Sequence, residues 1–246
     1  MAVCATPGGL AAQSDIVVLM LADTDAVEQV LFAPDGLADG LQRGSLVIDM
    51  GTTAVMPTRE FAARLGERGI EFVDAPVSGG EIGAIDASLT IMAGGDDATI
   101  ARARPVFDVL GKTFTHVGGV GAGQVAKAAN QIIVGLNIGA VAEALALVEA
   151  AGVDPARVRQ ALLGGFAGSR ILEVHGQRMI ERRFEPGARI TTQHKDMHQA
   201  CELGALLGQS LPATELGRDL YAQLIDRGDG DLDHSALIRL LRDGDA

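Results

Sequence analysis

The first half of the chain alternates short apolar runs with segments of mixed polarity. Three runs rich in β-branched residues predict buried strands: DIVVLML (15–21), SLVIDMG (45–51) and IEFVDAPV (70–77). Two segments with apolar residues at helical spacing lie between them: TDAVEQVLF (24–32) and MPTREFAARLGERG (56–69). Thr24 can cap the first helix, and Gly69 ends the second. Buried strands that alternate with helices predict a parallel α/β sheet.

The same alternation continues to about Gly119. It comprises a strand, a helix and a further strand: ASLTIMAGG (87–95), DATIARARPVFDVLG (97–111) and TFTHVGG (113–119). A unit of this kind fits the edge of the same sheet. We therefore predict an α/β domain over residues 1–119.

The pattern changes after the glycine cluster at 118–123. From Gly123 to Ala151 the chain has no proline and is densely apolar, which predicts one helix of about 40 Å. Because this helix is apolar on most faces, we expect it to be buried and to take part in a homodimer or homotetramer. Further helical segments follow, so residues 120–246 are predicted to form an all-α domain with a long central helix.

Composition and charge narrow the classes of function. The formal net charge of −12 and the pI of about 4.8 argue against nucleic-acid or anionic-membrane partners, but they leave room for a small anionic substrate. Cys4 and Cys201 fit no metal-binding spacing and are expected to be reduced thiols. Neither a run of about 18 apolar residues nor a basic leader is visible, so we expect a cytoplasmic protein.

The stretch GGVGAGQ contains Gly119, Gly121 and Gly123 and admits two interpretations. A dinucleotide-binding loop has the spacing G-x-G-x-x-G after a first strand, whereas this stretch has different spacing and follows the last strand of the sheet. A turn into the long helix fits these features better.

Lys127 lies in an otherwise apolar stretch, and Asn130 follows three residues later on the same helical face. One interpretation is a surface lysine whose stem covers apolar area. The other is a general acid, because a lysine partly removed from water has a lowered pKa and can exchange a proton near neutral pH.

The segment DAPVSGGEIGA (74–84) ends a predicted strand. Its residues Ser78, Gly79 and Gly80 would present backbone N–H groups at a carboxyl end of the sheet, where ligands of such sheets bind. Backbone donors directed at one point suit a carboxylate. The alternative is an ordinary turn from strand to helix.

Three of these stretches together resemble one known family. DAPVSGGEIGA, GAGQVAKAANQIIVGLNIGAVAEAL and HKDM are similar to the β-hydroxyacid dehydrogenases, and the likeness covers essentially the whole chain. The resemblance implies reduction of a small 3-oxo acid, such as tartronate semialdehyde, with NADH or NADPH. It implies Lys127 as general acid/base, and Ser78, Gly79, Gly80 and Asn130 as contacts to the substrate.

The resemblance also implies where the cofactor binds. Leu21, Ala22 and Thr52, at the ends of the first two predicted strands, match positions that line the nicotinamide nucleotide. Lys195 would lie beside the cofactor, and Asp196 would support the substrate site. In this family Gln131 often has Asn as its counterpart.

Relative to the family, the chain starts after the first strand, the glycine-rich turn and the second strand. Roughly 50 residues of the pattern are absent, which is consistent with one βαβ unit and its connection. The fold class is then a truncated Rossmann-like sheet followed by the helical domain. Two explanations are open. Either the natural protein is longer than this sequence, or it is a non-catalytic remnant that binds the cofactor weakly and keeps the helical half through which it oligomerises. In both cases the strand DIVVLML would have a bare apolar edge.

A metal site has little support in the sequence. His194 and His198 are four residues apart on a predicted helix, as in some zinc sites, but Lys195 replaces the catalytic glutamate and no third ligand is evident. His175 and His234 are isolated in sequence, and Asp233 or Ser235 is expected to cap the last helix.

Overall fold

The structure is a computed structural model that describes residues 3–242. It divides between Lys127 and Ala128 into two compact units. The predicted domain boundary at residues 119 and 120 lies a few residues earlier and stays a prediction.

The first unit contains six strands among its described residues: β1 Ile16–Leu19, β2 Leu46–Asp49, β3 Glu71–Asp74, β4 Val77–Ser78, β5 Leu89–Gly94 and β6 Gly111–Gly118. The helices are α1 Pro7–Ala11, α2 Thr24–Phe32, α3 Leu37–Gly40, α4 Val55–Glu67, α5 Gly80–Ile85 and α6 Asp97–Leu110. The short elements α1, α3, α5 and β4 have no predicted counterpart. The cap of α2 is Asp23, whose side chain accepts from Ala26 N, and not Thr24.

The α/β prediction is confirmed, with one difference in strand direction. Strands β1, β2 and β3 are parallel, and β5 is parallel to β6. Strand β5 runs antiparallel to both β3 and β4. The reason is the short connection through α5, since a parallel crossover needs about a dozen residues or more.

The sheet separates two apolar clusters. Val47 of β2 belongs to one cluster, while its neighbours Leu46 and Ile48 belong to the other, as the alternation of strand side chains requires. Strand β1 ends the strand order and pairs only with β2 among the described strands. Its residues Ile16 and Val18 are 38% and 43% exposed, so the expected apolar edge is present.

The helical elements that follow are α7 Ala122–Ala150, α8 Pro155–Leu163, α9 Arg170–Glu181, α10 Ile190–Leu206, α11 Pro212–Asp226 and a 3-10 helix at His234–Leu240. Predicted α-helices are therefore confirmed except the last, which is 3-10. Asp233 caps it, because its side chain accepts from Ser235 N. The core of the second unit includes Ile138, Leu145 and Tyr221.

Helix α7 is less buried than its composition predicts. Ile138 and Leu145 are buried, but Ile133 and Leu147 are 66% and 72% exposed. By length and composition alone α7 could also cross a membrane, a property that it shares with core helices of soluble domains.

Candidate active site

Lys127 lies in the second turn of α7 and is buried, with 8% of its surface exposed. Its Nζ donates a hydrogen bond of 2.8 Å to the backbone oxygen of Val77. This placement rules out the interpretation of Lys127 as a surface lysine. The amine is held at the residue that precedes Ser78, so the two predicted features of the first unit lie together.

The N-terminus of α7 is fixed to the end of β3 by the carboxylate of Asp74. Asp74 Oδ1 accepts from Gly121 N at 2.7 Å, and its Oδ2 accepts from Gln124 N at 2.9 Å. The first N–H groups of a helix have no partner within the helix, and an acceptor there stabilises the helix start. Since Asp74 also begins the DAPVSGG segment, one side chain sets both the helix of Lys127 and the strand end beside it.

Burial raises the pKa of Asp74 to about 7. The two hydrogen bonds from Gly121 and Gln124 act in the opposite direction, and the nearby Asp49 carboxylate adds to the increase. Asp74 is therefore a buried carboxyl group that titrates close to neutral pH.

The glycine stretch before Lys127 forms a turn. Gly118 and Gly121 have φ values of 148° and 87°, which favour glycine, and α7 begins at the next residue. At Gly123 a Cβ atom would lie 2.5 Å from Met92 O and 2.6 Å from Asp74 O. The glycines thus serve the turn and the close approach of α7 to the sheet.

Residues Ser78, Gly79 and Gly80 lead from β4 into α5. Ser78 is half-buried, and the two glycines are exposed with φ values of 139° and 61°. A side chain at Gly79 would also meet Leu89 Cδ2 at 3.2 Å. The two glycines therefore place exposed backbone without side chains beside the segment held by Lys127.

The predicted cofactor contacts of the first unit follow β1 and β2. Leu21 and Thr52 are half-buried and Ala22 is exposed. At Gly51 a Cβ atom would lie 2.9 Å from Leu21 O, so the two strand ends approach closely. Short side chains and nearby backbone groups at the carboxyl ends of parallel strands fit a bound nucleotide.

The loop after β2 is held by two buried side chains that the sequence did not single out. Asp49 accepts from Gly51 N at 3.0 Å and from Thr53 Oγ1 at 2.6 Å. Gln124 of α7 donates from Nε2 to Gly51 O at 3.0 Å, and its Oε1 accepts from Thr53 N at 3.1 Å. One amide thus joins the predicted cofactor loop to the helix that carries Lys127.

The remaining predicted residues belong to the second unit. Asn130 Nδ2 donates to Gln131 Oε1 at 2.7 Å, and Gln131 Nε2 donates to the buried Asp196 Oδ2 at 2.6 Å. Asp196 Oδ1 lies 2.9 Å from Lys195 Nζ. The two groups form an ion pair, but their geometry is not that of a hydrogen bond. The structure therefore brings Asn130, Asp196 and Lys195 into one network through Gln131.

Two histidines that are distant in sequence lie together in the second unit. His175 Nε2 and His234 Nε2 are 3.3 Å apart, and their rings are nearly perpendicular. His175 Nδ1 lies 3.6 Å from the carboxylate of Asp233. Only their contact in the fold reveals this pair, since their separation in sequence gives no signal.

Asp233 is already saturated with donors. It forms an ion pair with Arg178 at 2.7 Å, and it accepts from Ser235 and from the backbone N–H groups of Gly187 and Ala188. Burial would raise its pKa, but the contacts with His175, His234 and Ser235 outweigh burial and hold the pKa well below its usual range. With its oxygens occupied, Asp233 is poorly suited to be a third metal ligand beside the two histidines.

His194 and His198 of α10 lie with their rings stacked, 6.3 Å between centroids. Burial lowers the pKa of His194, and the charge of His198 adds to the decrease. His198 lies 3.4 Å from Glu202 on the same helix.

Two sequence families match the chain. Residues 1–119 match the NAD binding domain of 6-phosphogluconate dehydrogenase, and residues 121–241 match the NAD-binding family of NADP-dependent 3-hydroxyisobutyrate dehydrogenase. Nearly the whole chain is thus accounted for by two families whose descriptions name nicotinamide-dependent enzymes.

Individual relatives agree with these families. The 2-hydroxy-3-oxopropionate reductase of Escherichia coli is 49% identical over 228 residues, which cover 93% of this chain and 78% of that protein. The crystal structure of a 3-hydroxyisobutyrate dehydrogenase from Salmonella typhimurium matches with a TM-score of 0.87 at 28% identity. The enzyme of that name from Mycobacterium tuberculosis, determined with L-serine, matches at 0.85 and 32%. Both structures are similar over 96% of this chain and 82% of theirs.

Proposed function

Because the chain belongs to the family of NAD(P)-dependent 3-hydroxyacid dehydrogenases, we propose that it reduces a small 3-oxo acid to the hydroxy acid, with tartronate semialdehyde (2-hydroxy-3-oxopropionate) as the first candidate. The 49% identity to a reductase of that name supports this substrate. Methylmalonate semialdehyde, succinate semialdehyde and glyoxylate are other small aldehydes that carry the same single negative charge.

In this proposal Lys127 is the general acid. Its buried ammonium group, held 2.8 Å from Val77 O, donates a proton to the aldehyde oxygen as the carbonyl carbon is reduced. The nicotinamide of NADH or NADPH, when bound, supplies the hydride. In the oxidative direction the neutral amine takes the proton back from the hydroxyl group.

The other predicted residues bind and orient. Backbone N–H groups at Ser78, Gly79 and Gly80 bind the substrate carboxylate, and the exposed glycines suit an anion because they carry no side chain. Asn130 contacts the substrate hydroxyl or carboxylate, and Asp196 holds this part of the site in place.

Four residues are proposed to contact the cofactor. Leu21, Ala22 and Thr52 would line the nicotinamide nucleotide at the ends of β1 and β2, and Lys195 would lie beside it. The exposure of Ala22 and the partial exposure of Leu21 and Thr52 support this assignment in the first unit.

The observation that carries the proposal is the hydrogen bond from Lys127 Nζ to the residue before Ser78. The test is NAD(P)H oxidation by the purified chain with the four aldehydes and both cofactors. Lys127→Ala is expected to lower kcat by roughly 10²–10⁴-fold while cofactor binding, followed by nicotinamide fluorescence, stays unchanged. The exposed Lys112, changed to Ala, is the matched control. Near-normal turnover of Lys127→Ala would overturn the role of this amine.

A further inference from the structure

A buried line of polar side chains in the second unit ends at Asn130. Its central members are Gln131 and Gln193, which are 8% and 1% exposed. Gln131 Nε2 donates to Gln193 Oε1 at 3.2 Å, and Gln193 Nε2 donates to the backbone oxygen of Gln131 at 3.0 Å. The two residues are therefore joined by a pair of hydrogen bonds, one between the side-chain amides and one to the backbone of Gln131.

The neighbouring groups fix which end of each amide is the donor. A backbone oxygen and the Asp196 carboxylate only accept, so they require Gln193 Nε2 and Gln131 Nε2 to face them. Gln131 Oε1 must then accept from Asn130 Nδ2. The Oδ1 atom of Asn130 is thereby turned away from Gln131, which orients this side chain for a substrate.

The far end of the line is the histidine pair. His234 Nδ1 lies 3.4 Å from Gln193 Oε1, which makes Nδ1 the protonated nitrogen in that contact. His234 Nε2 then accepts from His175, whose other nitrogen faces Asp233. Gln193 Oε1 is in this way approached by donors from two sides.

The backbone makes room for the Gln193 amide. At Gly135, one turn after Gln131 in α7, a Cβ atom would lie 2.7 Å from Gln193 Nε2 and 2.5 Å from Met197 Sδ. Any other residue at position 135 would displace the amide. The close approach of α10 to α7 at this point is thus built around Gln193.

We propose that Gln193 is a positioning residue for the reductase: together with Asp196 it fixes the orientation of Gln131, and Gln131 in turn orients Asn130. This inference rests on the proposed function, in which Asn130 and Asp196 belong to the substrate site. Because Gln193 is 1% exposed, its effect is expected to pass through Gln131.

The kinetic test uses Gln193→Leu, which keeps the volume and removes both amide contacts. We expect the KM for the aldehyde to rise about tenfold while kcat falls less than threefold, because Asn130 loses its fixed orientation and Lys127 is unaffected. Gln209→Leu is the same change at an exposed position of the same unit. If the folded Gln193→Leu enzyme keeps the KM of the wild type, the positioning role is wrong.

Gln193→Glu provides a rescue that a merely structural role would not show. When protonated, the Glu carboxyl can donate to Gln131 O as the amide does; when ionised, it cannot. Because burial raises the pKa of a carboxyl group, the KM ratio of Gln193→Glu to wild type should approach one as pH falls, while that of Gln193→Leu stays constant. Groups that face this position are His234, His175 and Asp233 on one side, and Asp196 and Lys195 on the other. Parallel pH profiles of the two variants would contradict the proposal.

A spectroscopic readout separates this inference from the reaction itself. The side-chain amide resonances of Asn130 and Gln131 are assigned by their loss in Asn130→Asp and Gln131→Glu in ¹⁵N-labelled protein. We expect Gln193→Leu to shift both pairs, and Gln209→Leu to shift neither. Unmoved Asn130 resonances would overturn the positioning role. Shifted resonances in a protein that reduces none of the aldehydes would instead overturn the proposed function alone.

Discussion

Asp49 and Asp74 are register partners in the parallel ladder between β2 and β3, and both side chains are completely buried. Each carboxylate holds a different neighbour: Asp49 holds the loop at Gly51, and Asp74 holds the start of α7. Burial raises the pKa of Asp74, and the nearby Asp49 carboxylate adds a smaller increase.

Stability should therefore depend on pH through Asp74. Its pKa is raised from 3.8 to about 7 on folding, so the folded protein keeps a proton that the unfolded chain releases between these values. This contribution to the free energy of unfolding is full below pH 4 and is lost as pH rises through 7. Between pH 5 and pH 8 the loss should be about 2 to 3 kcal/mol at most.

Urea denaturation of wild type and Asp74→Asn at the two pH values measures this effect. The asparagine lacks one acceptor, so it costs a hydrogen bond at every pH, but it removes the titration. The difference between wild type and variant should thus be larger at pH 5 than at pH 8. A difference that does not change with pH would show that Asp74 is ionised throughout this range.

Gln124→Leu should loosen the loop after β2. The change leaves Gly51 O and Thr53 N without their buried partner, which should lower the free energy of unfolding by about 2 to 4 kcal/mol. Because that loop is the proposed cofactor contact, the KM for the nicotinamide cofactor should also rise. Val125→Ala, at the exposed next residue, is the control. An unchanged KM for the cofactor in the folded variant would show that Gln124 does not contribute to cofactor binding.

Gly123→Ala should be strongly destabilising, whereas Gly119→Ala should be tolerated. The added methyl group at 123 would meet backbone oxygens of Met92 and Asp74 at 2.6 Å or less, but at 119 it would meet nothing within 4 Å. We expect the first variant to lose about 3 kcal/mol or more and the second about 1 kcal/mol or less. Thermal melts of the two proteins decide the matter, and similar melting temperatures would be inconsistent with this packing.

Tyr221→Phe should stabilise the second unit. The Tyr221 hydroxyl is fully buried and has no hydrogen-bond partner among the described residues. Removing it relieves the cost of an unpaired polar group without leaving a large cavity, so the free energy of unfolding should rise by about 1 kcal/mol. Guanidinium denaturation measures the change. A loss of similar size would reveal a partner for this hydroxyl group.

The sequence predicts the elements well where one chemical pattern dominates. The runs around Val47 and Val73 are apolar and β-branched, and the segment after Gly123 lacks helix breakers, so strands and helix follow from local preference. The direction of strand β5 is harder to predict from the sequence, because it depends on the short connection through α5. The exposure of Ile133 on α7 depends on tertiary contacts, which local patterns do not contain.

The residues of the candidate site also differ in how clearly the sequence indicates them. Lys127, Ser78 and Gly80 stand out because a cation in an apolar stretch and a glycine pair after a strand are unusual. Gln124 and Gln193 do not, because a glutamine in a helix is ordinary until the fold shows which backbone atoms its amide meets. His175 and His234 likewise acquire meaning only from their distance in space.

The narrow fit between α7 and the sheet also limits how this enzyme can be redesigned. A search for altered substrate preference around Lys127 would find positions 94 and 123 closed, because any methyl group there collides with the Asp74 carboxylate or its neighbouring backbone. Exposed positions such as Val125 and Ile82 are better targets for mutagenesis, because substitutions there leave the position of the Lys127 amine unchanged.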